Sequence, residues 1–124
     1  MNLNEKILVI GASENIERYS NKAIHLFKKK QFNHIFAFGL KKGNVASIEI
    51  DTEWNYAPKS IDTISLYVGA ANQAFYIDKI LSLQPKRVIF NPGTENQDFE
   101  AQLIAQNTIA EEACTLVLLN LGIF

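Results

Sequence analysis

The chain has 124 residues, of which 48% are hydrophobic and 20% are charged, as in an ordinary globular domain. Its formal net charge of −1 argues against nucleic acid and against an anionic membrane as the main partner, because both select a basic surface. The single cysteine excludes an internal disulfide and a thiolate zinc cluster, and we expect no bound metal.

The length and the first residues set two further expectations. A chain of this size is expected to fold as one domain over residues 1–124. Residues 1–6 lack the basic and apolar regions of a signal peptide, and no apolar run is long enough to span a bilayer. We therefore expect a cytoplasmic protein.

Short apolar runs alternate with amphipathic segments along most of the chain. Runs that are mostly apolar on both faces predict buried strands, in chain order, over Ile7–Ile10, His34–Phe38, Ile64–Val68 and Arg87–Phe90, with a weaker one over Asn107–Ala110. Apolar residues at helical spacing predict helices over Ser20–Lys30, Asn72–Leu83, Asn96–Gln106 and Cys114–Asn120, with Ser20 and Asn96 as N-caps.

The segment Leu40–Ile61 interrupts this alternation. Only Ser47–Ile50 resembles a strand, so we predict a short strand and an irregular loop in place of a crossover helix. Elsewhere, strands that alternate with helices predict right-handed βαβ units. The predicted fold class is therefore α/β, with a Rossmann-like, mainly parallel sheet of five or six strands flanked by helices.

The first apolar run breaks into Gly11, Ala12 and Ser13 before the first predicted helix. Small side chains let backbone N–H groups approach a phosphate, and a helix N-terminus offers unpaired donors and partial positive charge. Arg18 has the two-pronged geometry that suits a pyrophosphate, although a solvated surface arginine is the alternative. The dinucleotide fingerprint would require glycines at Ser13 and Ile16, so the loop predicts a nucleotide-like anion and favours NAD only weakly.

Lys41 and Lys42 follow the second predicted strand. NAD-binding domains place an acidic residue here to accept hydrogen bonds from the ribose. Two cations instead suit a ribose phosphate, which coenzyme A carries at the 3′ position and NADP at the 2′ position. A solvated basic turn is the alternative.

Pro92 and Gly93 follow the fourth main strand and predict a turn before the third helix. The backbone amides of that turn either line a ligand pocket or simply close the turn.

Candidate catalytic groups are few. His25 falls within a helix and His34 begins a strand, so neither is expected at the carboxyl end of the sheet. Cys114 begins a predicted helix, but no histidine is placed to act as its base. We therefore expect no catalytic residue.

Several short motifs occur in the order found in a known family. They are Gly11–Ser13, Arg18–Ser20, Lys41–Gly43, Ile61–Thr63, Lys86–Asn96 and Glu112–Cys114. From Lys6 to about Leu119, the sequence resembles the small stand-alone CoA-binding domain proteins of bacteria. These are similar to the N-terminal domain of the succinyl-CoA synthetase α subunit.

The resemblance implies coenzyme A as the ligand. It implies that Gly11–Ser13 and Arg18 hold the diphosphate, that Lys41 and Lys42 face the 3′-phosphate, and that Val68–Ala70 contact adenosine or pantetheine. The turn at 91–96 would border the pantetheine arm. The candidate ligand-binding residues are Gly11, Ala12, Ser13, Arg18, Ser20, Lys41, Lys42, Val68, Asn91, Pro92 and Gly93.

The chain departs from the family pattern at two places. Many members have proline after the second strand, where this chain has Gly39-Leu40, and charged or aromatic residues where it has Gly69-Ala70-Ala71. The synthetase's phosphorylated histidine lies in a second domain with no counterpart in the motifs above, so its catalysis is not implied.

These observations together predict a non-catalytic module that binds a small nucleotide ligand, either coenzyme A or an acyl-CoA. The alternative is an NADP-binding, oxidoreductase-like or regulatory Rossmann domain. The apolar tail Leu116–Phe124 is expected either to belong to the core or to pack in a homodimer or against a larger acyl-CoA enzyme.

Overall fold

Seven strands and four α-helices alternate along the chain, and the computed structural model describes all 124 residues. The strands are β1 (Lys6–Ile10), β2 (His34–Phe38), β3 (Gly43–Val45), β4 (Ile48–Asp51), β5 (Thr63–Leu66), β6 (Arg87–Phe90) and β7 (Ile109–Glu112). The helices are α1 (Tyr19–Lys29), α2 (Ala74–Leu83), α3 (Gln97–Ala105) and α4 (Thr115–Leu121), and a short 3₁₀ turn at Ala70–Asn72 precedes α2.

The strands form one sheet in the order β3-β4-β2-β1-β5-β6-β7, and every neighbouring pair is parallel except β3 and β4. From β1 the chain continues to β2 and to the antiparallel pair β3–β4 on one side of the sheet. It then returns and places β5 on the other side of β1. This reversal of strand order creates a crevice outside the carboxyl ends of β1 and β5, where open α/β sheets bind ligands. The predicted α/β, Rossmann-like class is confirmed.

The sheet has seven strands, so the predicted count of five or six is wrong. The extra strand arises because Gly43–Val45 pairs antiparallel with β4 through the two-residue turn Ala46-Ser47. Both turn residues have positive φ, 49° and 69°, as a type I′ hairpin turn requires. Alanine and serine are not typical of that turn, and a strand of three residues is too short to show an alternation of apolar and polar residues. The sequence therefore did not predict β3.

Several predicted boundaries differ from the structure by one or two residues, and two of these differences have a clear local reason. Helix α1 begins at Tyr19, so Ser20 lies in its first turn and is not its N-cap; Arg18 takes that position without a side-chain capping bond. The last strand begins at Ile109, because Asn107 has a φ of 66°, which no strand residue adopts. By contrast, the Asn96 side chain accepts a hydrogen bond from the Phe99 N–H at 3.2 Å, as predicted for the cap of α3.

The core consists of two apolar clusters on opposite faces of the sheet. One joins the sheet to α2 and α3 and includes Leu8, Leu66, Ile80, Phe90 and Phe99. The other joins it to α1 and α4 and includes Ile7, Val9, Ile24, Phe27 and Leu119. No helix combines the length and the apolar character that crossing a bilayer would need.

The apolar tail contributes in part to the second cluster. The ring of Phe124 packs edge-on against Phe27 and Phe32, with ring centroids 5.0 and 5.6 Å apart. Leu121 and Ile123 remain 66% and 63% exposed. Their packing against a second copy or another subunit stays a prediction.

The amino end of the sheet is held by ion pairs. Arg87, at the start of β6, lies 3.2 Å from Glu5 and 3.8 Å from Glu111. Lys86 pairs with Asp62 at 3.4 Å. These two cations are therefore neutralised by neighbouring carboxylates.

The hairpin turn offers a stability test. Replacing Ala46-Ser47 by Asn-Gly should raise the free energy of unfolding by about 1 kcal/mol, because both new residues tolerate positive φ. Urea denaturation would measure it as a higher midpoint at an unchanged slope. The same pair placed at Ala70-Ala71, where φ is not positive, should give no gain. An unchanged midpoint for the hairpin variant would contradict the interpretation.

Candidate functional site

Four loops meet at the carboxyl end of the sheet. We call them the first loop (residues 11–18, after β1), the second loop (39–42, after β2), the third loop (67–73, after β5) and the fourth loop (91–96, after β6). Most of the residues predicted from the sequence to bind a ligand lie in these loops, and Ser20 follows in the first turn of α1.

The first loop is fixed to the end of β2. The N–H groups of Gly11 and Ala12 both donate to the carbonyl oxygen of Phe38, at 2.9 and 3.0 Å. Gly11 has a φ of 91°, and a Cβ there would lie 2.9 Å from the carbonyl oxygen of Tyr67, so the position requires glycine. These two amides are engaged within the protein, and a phosphate at this loop would be held by other donors.

Such donors are present in the first turn of α1. The N–H groups of Tyr19, Ser20 and Asn21 donate to no protein acceptor, as is usual for the start of a helix. No acidic residue lies in this turn, and Lys28 and Lys29 lie in the last turn of the same helix. The free donors and the helix dipole therefore favour an anion at the start of α1.

Side-chain hydrogen bonds fix the loop that leads into this helix. The buried amide of Asn21 donates to the Ser13 carbonyl at 2.9 Å. The Ser13 hydroxyl accepts from the Asn15 N–H at 3.1 Å, which leaves its own hydrogen free to donate. Sequence reasoning missed Asn21, because a buried asparagine in a helix cannot be distinguished by pattern from an exposed one.

Three cations near the first two loops have no carboxylate partner. Arg18, Lys41 and Lys42 are exposed, and every ion pair in the structure involves other residues. Their charges therefore remain available to an anionic ligand.

A buried glutamine joins the third loop to the fourth. The Gln73 amide nitrogen donates to the carbonyl oxygens of Val68, at 2.8 Å, and Thr94, at 2.7 Å. Its oxygen accepts from the Asn96 side chain at 2.9 Å. Val68 itself is half-buried and packs against the core. Gln73 was not predicted, because glutamine ahead of a helix is usually solvated.

Asn91 holds the fourth loop in place. It is 1% exposed, and its amide nitrogen donates to the Ser65 hydroxyl at 3.1 Å and to the Leu66 carbonyl at 3.0 Å. Its oxygen accepts from the Thr115 N–H at 2.8 Å. The side chain is thus committed to protein partners.

The exposed residues of the fourth loop are Pro92, Gly93 and Glu95. The Gly93 N–H donates to the Glu95 carboxylate at 2.9 Å, and Gly93 has a φ of 92°. This turn therefore offers the proline ring and the glycine backbone as its contact surface.

Candidate catalytic groups do not assemble at this edge. His34 begins β2 and therefore lies at the opposite end of the sheet, and His25 is exposed along α1. Cys114 is half-buried at the N-cap of α4. Burial raises the pKa of the neighbouring Tyr67, so its phenol is protonated at neutral pH. No group of histidine, cysteine and carboxylate side chains is arranged to hold a metal ion.

Nearly the whole chain matches one protein family. The model of the CoA binding domain family covers residues 5–120. The chain belongs to the CoA-binding domain family. The resemblance inferred from the sequence is therefore confirmed, and a CoA-binding role is supported at the level of the family.

Solved structures show the same fold. An uncharacterized protein of known crystal structure shares 38% identity with a TM-score of 0.91, and the match covers 98% of each chain. A hypothetical protein from Pyrococcus horikoshii OT3 shares 19% identity with a TM-score of 0.80, covering 92% of this chain and 80% of that one.

A more distant neighbour shares the fold alone. An aspartate dehydrogenase from Thermotoga maritima has a TM-score of 0.56 at 16% identity, covering 87% of this chain and 44% of that one. No curated protein matches the sequence.

The role of Gln73 can be tested by stability. Gln73→Ala should lower the free energy of unfolding by about 2 kcal/mol, because it leaves two carbonyls and the Asn96 amide without their partner. Gln97→Ala, at an exposed position of α3, is the matched control and should change little. Urea denaturation measures both. A loss for Gln73→Ala no larger than that of the control would contradict this role.

Proposed function

We propose that this CoA-binding domain protein binds coenzyme A or an acyl-CoA without converting it. The observation that carries the proposal is the combination of free N–H donors at the start of α1 with unpaired cations in the adjoining loops. Membership of the CoA-binding domain family supports the choice of ligand.

The diphosphate would lie against the first turn of α1. The N–H groups of Tyr19, Ser20 and Asn21 are free to donate to its oxygens. The Ser13 hydroxyl and the Arg18 guanidinium, which is at the N-cap, would add charge-assisted hydrogen bonds. The amides of Gly11 and Ala12 would act indirectly, since they hold the loop in place.

The 3′-phosphate of the adenosine would face Lys41 and Lys42. These lysines follow β2, where a nucleotide's ribose lies in domains of this fold. Because an acidic ribose-binding residue is missing there, the second loop favours a phosphorylated ribose over the unmodified ribose of NAD. NADP satisfies the same charge requirement and is therefore the competing ligand.

Apolar surface is available for the rest of the ligand. Phe75, in the first turn of α2, is 55% exposed, and its ring stacks on the buried ring of Phe38 at 6.3 Å. The Lys79 ammonium lies over the same Phe75 ring, 4.4 Å from its centroid, so an adenine base that packs on this ring would compete with Lys79. The pantetheine arm would run along the third and fourth loops, past Val68, Pro92 and Gly93.

The proposal includes the absence of catalytic activity. Both histidines lie away from the carboxyl edge, and Cys114 is therefore without an imidazole base. This arrangement supports binding rather than turnover. Incubation of the protein with CoA thioesters or with NADPH and candidate substrates should give no turnover.

Calorimetry with four nucleotides tests the ligand. Wild-type protein should bind coenzyme A more tightly than dephospho-CoA, and should bind NADP and NAD more weakly than coenzyme A. Lys41→Ala should weaken coenzyme A binding by about threefold to tenfold and leave dephospho-CoA almost unchanged, because only the former carries the 3′-phosphate.

Lys28→Ala is the control for this experiment, because Lys28 lies at the other end of α1. It should change neither affinity. Equal binding of coenzyme A and dephospho-CoA would refute the role of Lys41, and tighter binding of NADP than of coenzyme A would favour the competing ligand.

Arg18 should contribute to the part of the ligand that both CoA forms share. Arg18→Ala is expected to weaken coenzyme A and dephospho-CoA by the same factor, about threefold to tenfold, because both carry the diphosphate. The same titrations measure it, with Lys28→Ala again as control. A loss confined to coenzyme A would place Arg18 at the 3′-phosphate instead.

A further inference from the structure

Glu14 of the first loop forms a hydrogen bond to the β3–β4 hairpin. Its Oε2 accepts from the Asn44 backbone N–H at 3.0 Å, across 30 residues of sequence. Asn44 lies in the middle of the edge strand β3, and its N–H faces away from β4 because Val45 and Ile48 form the hydrogen-bonded pair next to the turn. Glu14 thus satisfies an outward donor that an edge strand would otherwise leave to solvent.

The contact depends on a glycine. A Cβ at Gly43 would lie 2.7 Å from Cγ and 2.8 Å from Oε1 of Glu14, closer than real Cβ contacts allow. The Glu14 side chain therefore lies flat against the Gly43 backbone. Because φ at Gly43 is not positive, a Cβ there would displace the flexible Glu14 side chain without straining the backbone, so glycine is needed for this contact only.

The first loop consequently holds the second loop at both of its ends. At the near end, the Phe38 carbonyl accepts two N–H groups of the first loop, and a Cβ on Gly39 would overlap the Ala12 carbonyl. At the far end, Glu14 holds Asn44. Lys41 and Lys42 lie between these two fixed points, with exposed side chains.

We propose that Glu14 is a positioning residue that sets where Lys41 and Lys42 present their charges relative to the first loop. The inference rests on the proposed function, since it concerns recognition of the 3′-phosphate. Without the bond, β3 is held by its pairing with β4 and by the buried Val45 side chain, and its first residues and the lysines before them are no longer tied to the first loop through Asn44.

A purely electrostatic role for Glu14 makes a different prediction. A carboxylate near an anion site repels every phosphate, so a purely electrostatic effect of removing Glu14 would tighten both ligands and would leave the preference for coenzyme A unchanged or increase it. Loss of a positioning contact instead lowers the ratio of the dissociation constant of dephospho-CoA to that of coenzyme A. That ratio separates the two roles.

The variants are Glu14→Ala, Glu14→Gln, Gly43→Ala and Glu17→Ala. Glu14→Gln keeps an acceptor for Asn44 but removes the charge, and Gly43→Ala displaces the Glu14 side chain from the other side. Glu17→Ala removes the same charge from the same loop, at an exposed side chain without a hydrogen-bond partner, and is the matched control.

Two measurements are made on each full-length variant. Calorimetry gives the dissociation constants for coenzyme A and dephospho-CoA, and NMR hydrogen exchange gives the protection of the Asn44 amide in the ligand-free protein. Glu14→Ala and Gly43→Ala should reduce the ratio about threefold to tenfold, the range of one hydrogen bond, and accelerate Asn44 exchange. Glu14→Gln and Glu17→Ala should keep both near the wild-type values.

The outcomes distinguish the inference from the proposed function. If the wild type prefers coenzyme A and Glu14→Ala keeps that preference, or changes both affinities as Glu17→Ala does, the positioning role is overturned and the proposed function stands. If the wild type binds neither ligand, or does not prefer coenzyme A, the proposed recognition of the 3′-phosphate is overturned and the inference falls with it.

Discussion

The carbonyl oxygen of Phe38 accepts hydrogen bonds from two consecutive amides of the first loop, and the arrangement of the carboxyl edge depends on this contact. It requires the chain to turn sharply at Gly11, with a φ of 91°, and to pass directly over Gly39. The turn in the first loop leads the chain into α1. As a result, the unpaired N–H donors of α1 and the cations of the second loop follow two neighbouring strands, and backbone hydrogen bonds hold the ends of these strands together.

Side-chain amides provide the remaining links between the loops. Asn21, Gln73, Asn91 and Asn96 each carry a donor and an acceptor, so each can join two backbone segments at once. Three of the four are buried and the fourth is half-buried, which makes these bonds costly to break. A ligand that binds to loops fixed in this way loses less free energy to ordering the protein.

The sequence predicts the strands and helices of this fold better than the contacts between its loops. Apolar runs such as Ile7–Ile10 and Arg87–Phe90 fall in β1 and β6, because burial on both faces leaves a direct trace in composition. The Asn96 cap was predictable because capping is local. The order of short motifs was enough to identify the family.

The contacts that shape the site were harder to predict because they link residues distant in sequence. Glu14 and Asn44, or Gln73 and Thr94, give no local signal of their pairing. The turn at Ala46-Ser47 adopts positive φ with residues that do not favour it, so tertiary pairing of β3 and β4 overrides local preference there. The first loop lies between β1 and α1 as the sequence predicted, but which of its amides remain free is known only from the fold, and phosphate binding there stays a prediction.

The two ends of the sheet differ in how their cations are compensated. At the amino end Arg87 and Lys86 are matched by carboxylates, whereas Arg18, Lys41 and Lys42 at the other end are not. The four loops carry Glu14, Glu17 and Glu95 as well as Arg18, Lys41 and Lys42, so this edge is balanced in formal charge although its cations are not ion-paired. An anion would therefore interact with individual cations at short range, within a Debye length of roughly 8 Å at physiological ionic strength, and attraction would orient a ligand that has already arrived more than it would draw one from solution.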